Sequence, residues 1–230
     1  MNARKRLIIN RLMSLALAAS LAGCAGSAPE EAAEVAAPEP EPQAMEGITG
    51  VLNPNQAGQE ELLALPHLDE ALVAAILDQR PFLTMTELAE LLGQSLDQEQ
   101  QAELYLTLFV PMNLNTTPEE DFELVPGVGP RLAHEFEEYR PYQAIEQFRR
   151  EIGKYVDQEE VARLEQFVFV PINLNTASDQ EILSIPGVGE RLLHEFKEYR
   201  PYESIEQFRR EIGKYVDDKE ISRLERFVTL

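Results

Sequence analysis

The 230-residue sequence has no tryptophan, one cysteine and three histidines, and its 20 basic residues are outnumbered by 41 acidic ones. With a single cysteine, no disulfide can form within the chain. The formal net charge of −21 disfavours non-specific adhesion to DNA or to anionic lipid. The 44% of hydrophobic residues, with 7 tyrosines and 10 phenylalanines, nevertheless suits one or two compact domains.

The first 24 residues have the pattern of an export signal. Four basic residues precede or flank an apolar run of 11 residues at 12–22, which is too short to span a bilayer. The run leads into Leu21-Ala22-Gly23-Cys24, which resembles the lipobox of bacterial lipoproteins. The resemblance implies a signal peptide at 1–23 and a diacylglyceryl group on the Cys24 thiolate. An ordinary secretory signal with an incidental cysteine is the alternative.

The resemblance also implies a location. Ala25 rather than Asp follows the cysteine, which in lipoproteins of double-membrane bacteria implies the periplasmic face of the outer membrane. The membrane is then a partner through the lipid anchor only. Residues 24–47 are rich in Ala, Glu and Pro and lack aromatic residues, so they cannot bury enough apolar surface to offset chain entropy. We expect a lipidated, disordered tether there.

The rest of the chain is a threefold internal repeat with a period of about 60 residues. Segments 113–170 and 173–230 are identical at 37 of 58 positions, which indicates a duplication. Repeat 1 (48–111) has diverged much further but keeps the register of repeat 2 (112–171) and repeat 3 (172–230). These three segments are the predicted domains of the folded part.

Each repeat is predicted to consist of short helices only, so the fold class is all-α. Side chains that can cap a helix, with Glu or Gln three positions on, mark several helix starts: Thr84, Asp97, Thr117, Asp157, Ser178, Ser204 and Asp217. Helix ends are marked by Gly93, Gly153 and Gly213. Leu132, Phe136 and Tyr139 have the spacing of one buried helix face, and Arg140-Pro141 ends that helix.

Repeat 1 separates the residues needed for folding from candidates for function. It retains the paired asparagines near the start of each repeat and the Arg-Pro pair followed by an aromatic residue. It has lost the glycine turn, as the aligned positions show: Gly127 with His67, Gly129 with Asp69, and Arg131 with Ala71. The glycines are therefore not required merely to form a corner, which favours a functional interpretation in repeats 2 and 3. Decay of repeat 1 is the alternative, since it would give the same pattern.

The glycine turn resembles the helix-hairpin-helix motif in the residues VPGVGPR at 125–131. Together with NLNT at 113–116, it is similar to the ComEA family, extracytoplasmic DNA-binding proteins of natural transformation. In that family the backbone amides of the hairpin contact the DNA backbone without reading base sequence. The resemblance implies three tandem helix-hairpin-helix repeats. It also implies contact with double-stranded DNA through two sets of residues: Gly127, Val128, Gly129 and Arg131, and Gly187, Val188, Gly189 and Arg191.

Two departures from the motif and a second resemblance leave an alternative open. Repeat 3 has Glu190 where the motif often has Pro, which places a carboxylate beside the hairpin. A second glycine hairpin is replaced by IGKYVD at 152–157. The segment RPYESIE at 200–206 is similar to PsbU, a photosystem II subunit in which the same fold binds protein. Fold alone therefore does not decide between DNA binding and an acidic protein-protein interaction scaffold of the cell envelope.

Charge weighs against DNA binding. Repeats 1, 2 and 3 carry 1, 6 and 9 basic residues against 10, 13 and 12 acidic ones, so none has the basic face of a typical nucleic-acid domain. The basic clusters at 149–154 and 209–214 are predicted to be solvated faces paired with glutamates, such as Glu146 with Arg150. We still expect DNA-backbone binding, because the glycines and the arginine occur together in two repeats and are lost together in the third.

No catalytic site, cofactor, metal site or small-molecule substrate is predicted, and we expect a non-enzymatic protein. His134 and His194 occupy the same repeat position, and His67 lies in the altered turn. No two histidines of one repeat have metal-ligand spacing. They are interpreted as packing or surface residues.

The tyrosines are candidates for a different role, as stacking platforms for single-stranded DNA. Tyr142 aligns with Phe82 of repeat 1, which favours a place in the core. Tyr155 and Tyr215 align with Ser95, so the comparison leaves both roles open for them.

Overall fold

The computed structural model describes residues 50–230. The predicted signal peptide, the lipid attachment site at Cys24 and the tether lie outside the described residues. The described residues belong to one compact unit. Within the described range, the helices are too short and too polar for any of them to cross a membrane.

The described part is mostly helical, which confirms the all-α class. Repeat 1 contains α1 (Gln59–Leu63), α2 (Glu70–Gln79), α3 (Met85–Leu92) and α4 (Gln98–Tyr105). Repeat 2 contains β1 (Met112–Asn113), a 3-10 helix (Glu119–Leu124), α5 (Pro130–Glu138), α6 (Ile145–Ile152), α7 (Gln158–Leu164), a second 3-10 helix (Glu165–Phe167) and β2 (Val168–Phe169). Repeat 3 contains β3 (Ile172–Asn173), α8 (Asp179–Leu183), α9 (Glu190–Glu198), α10 (Ile205–Ile212), α11 (Asp218–Glu225) and β4 (Val228–Thr229).

Most of the predicted caps are confirmed. Ser178 and Glu181 form a reciprocal capping box at the start of α8. Side chains cap further helices at the predicted positions, Thr84, Asp97, Asp157, Ser204 and Asp217. The predicted glycines lie at the C-caps of α3, α6 and α10.

The predicted cap at Thr117 is wrong. The helix that follows is a 3-10 helix whose N-cap is Pro118, with no side-chain hydrogen bond. The backbone carbonyl of Thr117 instead accepts a hydrogen bond from the Arg140 guanidinium. This distant contact holds Thr117 outside the helix, so the helix begins later than the local sequence indicates.

The first and last segments of each repeat lie side by side. Leu52 forms a parallel bridge with Leu108. β1 pairs in parallel with β2, and β3 pairs in parallel with β4. The three pairings occur at equivalent positions of the repeats. Each strand of the two pairs has only two residues, too few for an alternating pattern to reveal them.

The paired asparagines connect the two halves of each repeat. In repeat 2, Asn113 Oδ1 accepts from the Asn115 N–H at 2.9 Å. The Asn115 side chain accepts from the Tyr142 N–H at 2.7 Å and donates to the Tyr142 carbonyl at 2.9 Å. The same two bonds recur in the other repeats, from Asn55 to Phe82 and from Asn175 to Tyr202. Retention of the asparagines in repeat 1 therefore reflects a structural role.

The buried side chains form two cores. Repeats 1 and 2 share one cluster, and repeat 3 has a cluster of its own. In the shared cluster, Phe136 lies edge to face on Phe148 with ring centroids 5.1 Å apart. Tyr142 is 2% exposed, which confirms its predicted place in the core. Arg226 donates to the Pro111 carbonyl at 2.7 Å, so repeat 3 is joined to the junction between repeats 1 and 2.

Candidate functional site

The candidate hairpin of repeat 2 connects the first 3-10 helix to α5. Gly127 has φ +83°, in the left-handed region that favours glycine. Gly129 is the N-cap of α5. The Val128 side chain between them is buried. Repeat 3 has the same geometry at Gly187 (φ +82°), Val188 and Gly189.

Two of the predicted amide donors are wrong. The Val128 N–H donates to the Val125 carbonyl at 3.0 Å, and the Val188 N–H donates to the Ile185 carbonyl at 3.0 Å. Because these bonds close the turn, the two amides are not available to a ligand. The motif shows which residues form the hairpin but not which amides the turn itself uses.

The predicted amides of the glycines remain available, as do those of the two arginines, which were expected to contribute only their charge. Across residues 50–230, no hydrogen bond is formed by the N–H groups of Gly127, Gly129, Arg131, Gly187, Gly189 and Arg191. All six residues are exposed. The first N–H groups of a helix have no intrahelical partner and carry the positive end of the helix dipole. Each hairpin therefore presents bare amide donors to solvent.

An arginine of α7 lies against the turn of repeat 2. Arg163 Nη2 donates to the Pro126 carbonyl at 2.7 Å. Its Nε donates to Glu160 at 2.7 Å, so the guanidinium is held in place. A Cβ on Gly127 would lie 3.1 Å from Arg163 Nη2. This close approach and the positive φ together explain the glycine at position 127.

The turn of repeat 3 also contacts repeat 1. A Cβ on Gly187 would lie 2.8 Å from Gln56 Nε2 and 2.9 Å from Arg223 Nη2. Arg223 is only 3% exposed. A Cβ on Gly189, in contrast, would have no atom within 4 Å. The third turn therefore has no room for a side chain at Gly187 but has room for one at Gly189.

Repeat 1 forms the same corner without glycine. His67, at the position of Gly127, has φ +64°, and its ring bonds to Glu103 at 2.8 Å. Asp69 is the N-cap of α2, and its Oδ1 accepts from the Leu72 N–H at 2.8 Å. α5 and α9 have no side-chain cap at this position. Repeat 1 thus holds a carboxylate at the N-terminus of α2, bonded to the amide that aligns with the Leu132 N–H, which in repeat 2 bonds to the Gly129 carbonyl at 2.9 Å.

The basic clusters lie on solvated faces paired with glutamates, as predicted. Arg150 pairs with Glu151 at 2.8 Å, and Lys154 also pairs with Glu151. Hydrogen bonds from Lys154 and Arg150 lower the pKa of Glu151. The specific pair of Glu146 with Arg150 is wrong, because Glu146 lies 3.4 Å from Arg149 at a spacing of three residues.

The arginines next to the hairpins differ from these clusters. Arg131 and Arg191 are exposed, and neither forms a salt bridge with another residue of the described range. They lie in the first turns of α5 and α9, beside the bare amides. Both are therefore available to an anionic ligand.

The histidines are surface residues, one of the two roles expected for them. His134 Nδ1 lies 3.1 Å from Glu119 Oε2, and this bond raises the pKa of His134. His194 lies 3.3 Å from Glu198. Among residues 50–230, no group of three His, Cys, Asp or Glu side chains is placed to hold a metal ion.

Comparison with protein families, with curated proteins and with solved structures finds no match to this chain. Its function is therefore argued from the geometry of the hairpins. That geometry consists of two glycine turns without a side-chain N-cap, each next to an arginine that has no salt bridge within residues 50–230, and a third turn capped by its own carboxylate.

Proposed function

We propose that this protein binds the phosphodiester backbone of double-stranded DNA, without reading base sequence, through the hairpins of repeats 2 and 3. The three repeats are helix-hairpin-helix units of the ComEA type, of which the first has lost the binding chemistry. The protein is a non-enzymatic binding module of the cell envelope, anchored through Cys24, with a role in DNA uptake or handling.

The difference between the N-caps carries this proposal. Asp69 supplies an oxyanion to one amide in the first turn of α2, the Leu72 N–H, at 2.8 Å. Gly129 and Gly189 supply none, and an added Cβ at either position would meet no atom within 4 Å. Packing therefore gives no reason for glycine at these two positions. Glycine there keeps the amides accessible, and the ligand that helix N-terminal amides favour is an oxyanion such as a phosphate.

The charges predict weak, salt-dependent binding. Arg131 and Arg191 are exposed cations without a salt bridge among residues 50–230. Each phosphate that a cation neutralises contributes about 0.9 to the slope of log K against log salt concentration. A chain that engages two hairpins on one duplex gains affinity through effective concentration. We therefore expect measurable binding at low salt and its loss as the salt concentration rises.

A titration of residues 45–230 with a labelled duplex at about 20–50 mM salt tests the proposal. The decisive variant combines Gly129→Asp with Gly189→Asp, which gives repeats 2 and 3 the cap that repeat 1 has. Because aspartate is a better N-cap than glycine, this variant should fold and melt at the wild-type temperature or slightly above it. Loss of duplex binding in a variant of undiminished stability is the expected result.

Ala144→Asp is the matched control, since it adds a carboxylate at the N-cap of α6, a helix that does not begin at a glycine turn. It should retain binding with only a small electrostatic loss. If the double variant binds as well as wild type, the bare amides are not the site. If wild type itself does not bind at low salt, the DNA-binding proposal is wrong.

An acidic protein-binding scaffold is the second candidate function. The contact of Gly187 with Gln56 and Arg223 favours it, because it gives the third glycine turn a packing role inside the protein. Absence of duplex binding at low salt, together with one stoichiometric protein partner recovered from envelope extract, would support the scaffold.

A further inference from the structure

A groove of about 450 Å³ lies beside the hairpin of repeat 2. It runs between the start of α5 and the turn after α6, and its lining includes Gly129, Arg131, Leu132, Lys154 and Tyr155. Proteins hold small ligands in clefts of about 300–1,000 Å³. The groove therefore has the size for one nucleotide and is too small for a duplex.

The lining combines two cationic side chains with an aromatic wall and with the carboxylate of Glu135. Gly129 and Arg131 contribute amides without a hydrogen bond in the described range, and Arg131 adds a guanidinium without a salt bridge there. Tyr155 is 39% exposed, one of the few large apolar side chains at the surface of the described part. Leu132 is half-buried next to it. Phosphate-binding groups and a stacking surface thus share one small groove.

Tyr155 is held in position within the groove. Its hydroxyl bonds to the Tyr139 hydroxyl at 2.8 Å, and Lys154 Nζ lies 4.8 Å from the centre of the Tyr139 ring. Bonding to Glu135 and Tyr139 raises the pKa of Tyr155, so the ring stays a neutral phenol. An exposed ring that is already ordered loses little conformational entropy when a ligand stacks on it.

Repeat 1 has lost the whole cluster. The aligned residues are Arg131 with Ala71, Glu135 with Ala75, Tyr139 with Gln79, Lys154 with Gln94, and Tyr155 with Ser95. The polar aromatic cluster is therefore present where the glycine turn is present and absent where the turn is altered. Core packing alone does not explain this, because repeat 1 folds without these side chains.

Repeat 3 keeps the cluster but covers its aromatic ring. Arg191 lies over Tyr215, with its guanidinium carbon 5.8 Å from the ring centre, and Tyr215 is half-buried. Glu190 replaces Pro130 at the first position of the helix, which places a carboxylate at the entrance. The ring face is thus more accessible in repeat 2 than in repeat 3.

We propose that the groove of repeat 2 binds one unpaired nucleotide of a DNA strand. Its phosphate contacts the amides of Gly129 and Arg131, and its base stacks on Tyr155. The inference rests on the proposed function, because the phosphate contact is the same. Bases inside a duplex stack on each other and cannot reach Tyr155, so the groove selects single-stranded ends and gaps. Stacking tolerates any base, so this contact is also independent of sequence.

The experiment compares two ligands, a blunt labelled duplex and the same duplex with a short single-stranded overhang that contains 2-aminopurine. With residues 45–230 at low salt, the overhang should bind about 5- to 100-fold more tightly. The 2-aminopurine fluorescence should fall as the base stacks. Tyr155→Ala should abolish both effects, whereas Tyr155→Phe, which keeps the ring and loses the hydroxyl, should retain them. Tyr215→Ala is the matched control in repeat 3 and should change neither.

The outcomes separate this inference from the proposed function. If wild type binds both ligands equally, or if Tyr155→Ala keeps the preference for the overhang, the groove does not bind a nucleotide, although duplex binding stands. If wild type binds neither ligand, both proposals are wrong. Comparing Tyr155→Ala with Tyr155→Phe excludes a folding defect, because both variants lose the bond to Tyr139 and only the first loses the stacking face.

Discussion

Serine in place of Gly127 and serine in place of Gly129 should change stability in opposite directions, although the two positions belong to one turn. Gly127 has φ +83°, and the left-handed conformation costs an L-residue about 1–2 kcal/mol. The new Cβ would lie 3.1 Å from Arg163 Nη2, so the guanidinium would have to shift from its 2.7 Å bond to the Pro126 carbonyl. We expect Gly127→Ser to lower the free energy of unfolding by about 1–3 kcal/mol.

Gly129 has φ −102°, which any residue adopts, and an added Cβ would meet no atom within 4 Å. Serine is the better N-cap by a few tenths of a kcal/mol. Gly129→Ser should therefore leave stability unchanged or raise it slightly. His67 adopts φ +64° at the position of Gly127, so the destabilised Gly127→Ser variant should still fold.

Thermal unfolding of residues 45–230, followed by circular dichroism, measures both changes. For a domain of this size, 1 kcal/mol corresponds to about 2–4 °C in Tm. Gly127→Ser should lower Tm by several degrees, and Gly129→Ser should keep it within about 1 °C of wild type or raise it. Equal melting temperatures for the two variants, or a larger loss at Gly129, would show that the geometry of the turn has been misassigned.

Three further predictions follow from the site and its surroundings. Asn115→Ala removes both hydrogen bonds to the Tyr142 backbone and should destabilise the protein by about 2–4 kcal/mol in thermal unfolding, because a part-buried N–H and carbonyl lose their partners. Glu119 raises the pKa of His134, so their pair stabilises the fold below the ordinary histidine pKa of about 6.5 and loses this effect as pH rises through the raised value. An NMR titration should show His134 titrating above its ordinary range, and Glu119→Gln should lower its pKa again. If the hairpins bind DNA, Arg131→Gln should reduce the slope of log K against log salt concentration by about 1.

Matched variants control these predictions. Arg150→Gln removes a cation that is already paired with Glu151, so it should change the salt dependence less than Arg131→Gln does. An equal change would contradict the assignment of Arg131 as the cation that contacts the DNA. Asn115→Asp keeps the acceptor and loses the donor, and it should lie between wild type and Asn115→Ala in stability. An unshifted His134 titration would show that the pair with Glu119 does not persist in solution.

Local signals in the sequence predicted most helix starts, because a cap is decided within four residues. Ser178 with Glu181 is an example. Contacts between distant segments were not predictable in this way. The bond of Asn115 to Tyr142 spans 27 residues, and the contact that displaces the predicted cap at Thr117 comes from Arg140, 23 residues away. The residue pattern shows which side chains can form hydrogen bonds, whereas the fold determines which residues they bond to.

The residues of the candidate site came from the motif, which identified the glycines and Arg131. Comparison with repeat 1 left the role of Tyr155 open. The internal use of the Val128 amide was missed, because the residue pattern does not show which amides the turn itself bonds. Asp69 had a detectable signal, since a carboxylate directly before an apolar helix is a common N-cap. Its bond to the Leu72 N–H was shown by the structure.

The pairing of the first and last segments of each repeat has a consequence for how the gene can change by recombination. Because Leu52 meets Leu108, and β1 and β3 meet β2 and β4, the first and last segments of each repeat lie side by side. Recombination that copies or deletes one whole period therefore joins chain ends that already lie close together. The cost of such a change lies at the surfaces between repeats, because repeats 1 and 2 share one buried cluster.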